Sequence, residues 1–271
     1  MEHGVTWFYF LPGLEQFRHY LAESTGNWTL LGVNPVLIQH FAAAVVVVLI
    51  VLLLSLRMRM DINKAGANAV IPDPNPSIRN FIEVSLEWLY GQAHAIIGKD
   101  ASRYFPVIGS LAMFIFVANI LGLVPGFAPP TDNWNITFGC SIFVFLYYNY
   151  HGLRVNGLGH IAHMANPSGL WWGWFLAPLM FPIEVVSHFA RPFSLGVRLA
   201  ANMVGDHAVL AAFLGLLPIF VPLPFLLLGF IVCLVQTIVF VLLTTIYIAL
   251  AVEEAHHDGG EHHEEAAHAA A

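Results

Sequence analysis

Charge is what this chain is short of. Only 10% of its 271 residues are Asp, Glu, Lys or Arg, against 58% hydrophobic, and its mean hydropathy is positive. That balance excludes a large water-soluble domain. Cysteine is scarce as well: Cys140 and Cys233 are the only two. Both fall in apolar runs, so they read as small packing residues, and a metal site needs more ligands. The first 34 residues have no basic stretch followed by a short apolar core and a cleavage site, so neither a signal nor a transit peptide is expected. The polar–apolar alternation of outer-membrane barrel strands is missing. So are a Gly-x4-Gly-Lys-Ser/Thr nucleotide loop, a nucleophile–base arrangement and a metal-ligand motif in the core. Catalytic chemistry of its own and a cofactor are therefore not expected, and no feature points to nucleic acid.

What is present is a set of apolar runs long enough to cross a bilayer, which takes about 20 helical residues. The expected class is an all-α polytopic membrane protein with a single membrane domain over residues 1–252. The first span runs from about Leu37 to Leu56 and stops at Arg57-Met-Arg59. A polar, Pro-rich connector follows from Asp61 to Pro76. Ser77 to Gly98 alternates apolar residues with Arg79, Glu83, Glu87 and Gln92, the pattern of a helix lying on a membrane surface; a short soluble helix is the alternative. Further spans cover about 105–124 and 134–150. Then come two unusually long apolar helices, about 170–217 and 222–252, with Pro218, Pro222 and Pro224 at the turn. At about 1.5 Å per residue the first cannot stand upright in a bilayer. It must tilt or bend, and Pro178, Pro182 and Pro192 are natural places to bend. Arg57, Arg59, Lys64, Arg79, Lys99, Arg103 and Arg154 fall on one side of this layout and only Arg18 on the other. The basic side should be cytoplasmic, which places the N-terminus outside and the C-terminus inside.

Arg198 sits in the middle of the 170–217 run. A guanidinium keeps its charge at biological pH, and a charge at bilayer mid-depth costs roughly 3 kcal/mol on insertion scales. Intramembrane ionisable residues mark ion or proton pathways by default. With ~100° per residue, Glu184, Ser187, Arg191, Ser194 and Asn202 lie on nearly the same face as Arg198, and His188 and Asp206 lie to its side. A polar seam joining two helices would explain Ser and Asn. It explains formal charges poorly. Arg191 suits snorkelling to headgroups. Glu184 suits either a watery vestibule or a pair with Arg191 or His188. On the last helix Gln236 and Tyr247 share a face. The amide needs a partner, and the phenol suits either an interfacial anchor or the path. Asn119 reads equally as glue or as part of an aqueous path. His207, on the far side of the wheel from Arg198, reads as a satisfied structural histidine or as a proton relay.

Arg191-Pro-Phe-Ser-Leu-Gly-Val-Arg198-Leu-Ala-Ala-Asn202-Met-Val-Gly-Asp-His207 resembles the signature helix of the a subunits of rotary F-type ATP synthases. Asn119-Ile-Leu-Gly-Leu-Val-Pro-Gly126 and Thr131-Asp-Asn-Trp-Asn135-Ile-Thr137 are similar to two further landmarks of that family, although Asn133 stands where Asp is usual. The resemblance covers about Thr6 to His256. It implies a stator subunit with two offset half-channels, in which Arg198 is the essential coupling charge. It implies that Asn202 and Gln236 line the path or hold the arginine. Glu184 and Ser187 would serve the cytoplasmic access, and Asn119 and His207 the outer one, with Asp206 a further candidate there. Gly229 stands where some relatives carry a facing His, so the outer relay transfers least well. The implied partners are a ring of small c subunits, peripheral-stalk b subunits, the rest of the ATP synthase and membrane lipid. The implied location is a bacterial inner membrane.

The rival reading is a secondary ion-coupled transporter or channel with an intramembrane arginine, but such a fold calls for internal repeats and the chain shows none. His160-x-x-His163 invites a membrane metalloenzyme, which needs several such clusters. Residues 253–271 are rich in His and Glu and read as a disordered cytoplasmic tail, with weak metal binding as the alternative.

Overall fold

The computed structural model describes residues 38–65, 77–124, 127, 129–157, 173–216 and 222–269. Among them every regular element is helical: α1 (Ile38–Ala65), α2 (Ile78–Ile97), α3 (Ala101–Leu123), α4 (Trp134–Asn156), α5 (Gly173–Leu216) and α6 (Pro222–Ala269). Two short 3-10 turns, Gly98–Asp100 and Pro130–Asp132, join α2 to α3 and precede α4. The amino-terminal residues 1–37, His160-x-x-His163 and Pro218 lie outside the described residues. By length and composition His40–Lys64, Ile78–Leu123 and Leu223–Val252 are long and apolar enough to cross a membrane.

Helix ends follow local chemistry. Ser77 accepts a hydrogen bond from the Asn80 backbone N–H at 3.2 Å, capping α2. Asn133 does the same for Asn135 at 2.9 Å, so amide in place of carboxylate at this position still starts α4. Gly157, at φ +57°, closes α4 by donating to Leu153 at 2.9 Å, the left-handed cap that glycine adopts without strain. Pro222 stands at the first position of α6, where its missing N–H costs nothing.

Three boundaries differ from the sequence reading. α1 continues past Arg57-Met-Arg59 to Ala65, because charge ends a membrane crossing without ending a helix. α4 likewise runs on to Asn156. α6 continues to Ala269 through the acidic, histidine-rich segment, which is also rich in the helix formers Ala and Glu. α2 passes into α3 through a single 3-10 turn, with Gly98 at φ +81°. α5 keeps Pro178, Pro182 and Pro192 within one 44-residue helix. At about 1.5 Å per residue its ~66 Å is about twice a hydrocarbon core of about 30 Å.

The chain divides into two compact units. One comprises Met1–Val84, Ser110–Thr137 and Leu199–Ile238, the other Ser85–Gly109, Phe138–Arg198 and Val239–Ala271. In the first, Ala43, Val47, Ala112, Ile115, Leu199 and Met203 are buried. In the second, Tyr104, Ile108, Val144, Leu195, Phe240 and Ile248 are buried. Side chains of all sizes face inward, from Ala43 to Tyr104 and Phe240, while many large apolar ones such as Phe41, Leu49, Leu53, Val186 and Leu227 face out. That apolar exterior suits a solvent of lipid tails, where packing rather than water exclusion selects the interior.

Candidate functional site

In the first unit the polar side chains from three helices meet. Asn119, on α3, is 1% exposed and its carbonyl accepts a hydrogen bond from Thr131 Oγ1 at 2.9 Å. Thr131 is itself fully buried in the 3-10 turn before α4. His40 of α1 binds the backbone carbonyl of Pro129 at 3.1 Å, so the turn is held from both sides. Asn202 of α5 donates its amide to Gln236 Oε1 of α6. Gln236 is buried, and its Nε2 donor has no hydrogen-bond partner among the described residues. Asn119, Asn202, Asp206 and Gln236 line one narrow cleft together with Leu199, Met203, Val232 and Cys233. No gap between these side chains, as they stand, admits a water molecule.

His207 is placed otherwise. Its Nε2 lies 3.0 Å from the Gly122 carbonyl, so this nitrogen carries the proton and donates. Gly122 allows the approach: a Cβ there would meet the Pro129 ring at 2.7 Å and would also collide with Met203. Gly229 is similarly tight, since a Cβ would meet Leu123 at 2.8 Å.

In the second unit α5 carries the charged residues. Arg191 lies 3.8 Å from Glu184 and 5.8 Å above the Tyr247 ring. Both charges are about one-third exposed. A solvent-accessible pair of that length contributes little stability. The distance from Arg191 to the Tyr247 ring is within the range of a cation–π contact. His188 is buried and hydrogen-bonds Asn149 Oδ1 at 2.8 Å. Ser187 is exposed. Arg198 is exposed too, and among the described residues it has no ion-pair or hydrogen-bond partner. The guanidinium thus stands on an outward face of α5 that it shares with the exposed Ser194 and Asn202, and no carboxylate among the described residues compensates its charge.

Of the residues expected from sequence, Asn119, Asn202, Asp206 and Gln236 come together in one cleft, and Glu184 and Tyr247 gather on Arg191. Sequence reading assigned no role to Thr131, His40 or Asn149. A hydroxyl or amide inside an apolar run was the available signal for Asn149, whereas the 12-residue separation of Thr131 from Asn119 is legible only in three dimensions.

The family profile described as ATP synthase A chain matches residues 40–249. The chain is similar to proteins named ATP synthase subunit a from several bacteria. It is 48% identical to that of Sorangium cellulosum over 190 residues, which is 70% of this chain and 72% of that one. It is 42% identical to that of Bdellovibrio bacteriovorus over 233 residues, covering 85% and 99% respectively. With that of Geobacter sulfurreducens it shares 43% over 179 residues, covering 66% and 76%.

Proposed function

The chain belongs to the ATP synthase A chain family, and on that premise we propose how its residues couple proton flow to rotation. It is a multi-pass subunit of a bacterial membrane and the proton-translocating stator component of the ATP synthase complex. In our reading a ring of small c subunits, each bearing a membrane-embedded carboxyl group, turns past the outward face of α5, and peripheral-stalk b subunits hold the chain still. Away from Arg198 lipid disfavours the carboxylate, so the acid stays protonated. Beside Arg198 it ionises: an opposite charge at 4 Å is worth on the order of 4 kcal/mol at an effective dielectric of 20. The fixed charge also repels protons and bars a direct leak between two half-channels. The inner half-channel runs along Glu184 and Ser187 with Arg191 and Tyr247 beside it. The outer runs along the cleft of Asn119, Asn202, Asp206 and Gln236, which has to open for water to enter. We place the N-terminus outside and the C-terminus in the cytoplasm.

The observation that carries this reading is the exposed guanidinium of Arg198 within an apolar helix, without a partner among the described residues. A structural arginine would be compensated inside its own chain. Reconstituting the intact ATP synthase with Arg198→Ala or Arg198→Lys into liposomes tests it. Both variants should lose ATP synthesis driven by a proton gradient, the lysine because its charge is a deprotonatable, compact ammonium rather than a guanidinium. Retained coupled synthesis by Arg198→Lys would refute the role given to permanent charge.

A further inference from the structure

Two adjacent residues, Asp206 and His207, compete for the outer proton relay, and their surroundings differ. Along α5, Arg198, Asn202 and Asp206 follow at four-residue steps, each advancing about 40° around the helix and about 6 Å along it. They form one shallow spiral. His207 lies about 180° from Arg198 on the same wheel. The cleft repeats this division: Asp206 lines it and His207 does not. His207 is instead committed to the Gly122 carbonyl at 3.0 Å. That contact joins two helices and ties up Nε2, so only Nδ1 could exchange protons, and His207 is not among the residues lining the cleft.

We infer that Asp206, and not His207, is the proton-relaying side chain of the outer half-channel, and that His207 is a positioning residue fixing α5 against α3. Three features support it. Among the described residues Asp206 is the only carboxylate on the cleft, and it is half-buried. Gln236 contributes a buried Nε2 donor with no acceptor among the described residues. Such a donor calls for an oxygen, and a water entering between Asp206 and the rotor acid once the cleft opens supplies one. Asn202, whose amide holds the Gln236 carbonyl, fixes which end of that side chain is free. The titratable groups around Asp206 are His207, next in the chain, and Cys233 of α6 across the cleft.

The transfer balances. A hydronium ion on the outer side gives its proton to the Asp206 carboxylate, breaking one of its own O–H bonds, forming one on the carboxyl and leaving water. The carboxyl O–H bond then breaks as the proton passes to the rotor carboxylate, which becomes neutral and leaves Arg198. Asp206 returns to its ionised form, and the rotor carries the proton away.

This assignment rests on the stator reading above. Its test uses the intact ATP synthase in sealed vesicles, measuring ATP-driven proton pumping and gradient-driven synthesis as pH on the outer-channel side is varied. Asp206→Asn should slow both by at least about a hundredfold, the lower end of what a positioned proton-transfer group contributes. Asp206→Glu should restore most of the rate with a displaced pH profile, which a purely structural role would not produce. His207→Gln, which keeps an N–H for Gly122, should retain the rate and the unshifted profile. A wild-type rate in Asp206→Asn, or an unmoved profile in Asp206→Glu, overturns the assignment. So does a loss in His207→Gln that equals that of Asp206→Asn. Arg198→Ala run alongside separates the two levels: if it still pumps, the stator reading fails. If it is dead while Asp206→Asn is normal, only the Asp206 assignment fails.

Discussion

The amide pair of Asn202 and Gln236 shows what a single residue contributes. Asn202 donates to Gln236 Oε1, and Gln236 is otherwise buried among apolar neighbours. Asn202→Leu removes the donor and leaves a buried carbonyl unsatisfied, a penalty of about 1–3 kcal/mol. The side chain of Gln236 is then free to rotate, and its Nε2 no longer points one way. Proton transport should slow by about fivefold, the kinetic equivalent of about 1 kcal/mol, while ATP synthesis stays coupled because Arg198 is untouched. Dye-monitored proton uptake by vesicles carrying the variant complex measures this. An unchanged flux would make Asn202 interhelical glue. The sequence carried half of this: an amide in hydrocarbon demands a partner, and Asn202 shares a helix face with Arg198. It did not carry the pairing of Asn202 with Gln236, because a helical wheel fixes angles within one helix and says nothing of the register between two.

At the scale of elements, α3 and α5 are locked by small residues and backbone. A Cβ at Gly122 would sit 2.7 Å from the Pro129 ring, which cannot swing aside, and would strike Met203. The Gly122 carbonyl receives His207, so any shift of α3 to relieve the clash also disturbs that bond. Gly122→Ala should destabilise the subunit by about 1–3 kcal/mol, as overpacking does, and lower its thermal unfolding temperature in detergent. An unshifted transition would mean that α3 and α5 do not pack this closely. Helices themselves were legible from periodicity. On α3 the buried positions Tyr104, Ile108, Leu111, Ile115 and Ala118 repeat every three or four residues. Helix ends were less legible. Arg57 and Arg59 mark where lipid ends, but lysine and arginine are good helix formers, so α1 continues to Ala65. The motif Asn119 to Gly126 was recognisable as a unit, yet the reason for its glycine lies in Met203 and Pro129, which no local pattern reveals.

For the whole molecule the open property is direction. α5 places Glu184 about 21 Å to one side of Arg198 and Asp206 about 12 Å to the other, at about 1.5 Å per residue. Which of these sides faces the cytoplasm decides whether Asp206 receives protons from outside or delivers them within. The sequence argues through its basic residues. Lys64 ends α1, Lys99 precedes α3 and Arg154 ends α4, whereas the stretch from Phe127 to Asn135 has no Lys or Arg. α3, at 23 residues, is about 34 Å long, enough to separate Lys99 from that stretch by one bilayer. Positive charge close to a crossing is retained in the cytoplasm, so Lys99 should lie inside and Asn135 outside. Both side chains are exposed, which makes them accessible to a reagent. With Cys140 and Cys233 replaced by serine, Lys99→Cys should react with a membrane-impermeant maleimide only in inverted vesicles, and Asn135→Cys only in right-side-out ones. The opposite pattern would turn the protein over. Glu184 would then face the outside, and Asp206 would become the exit rather than the entry of the proton path.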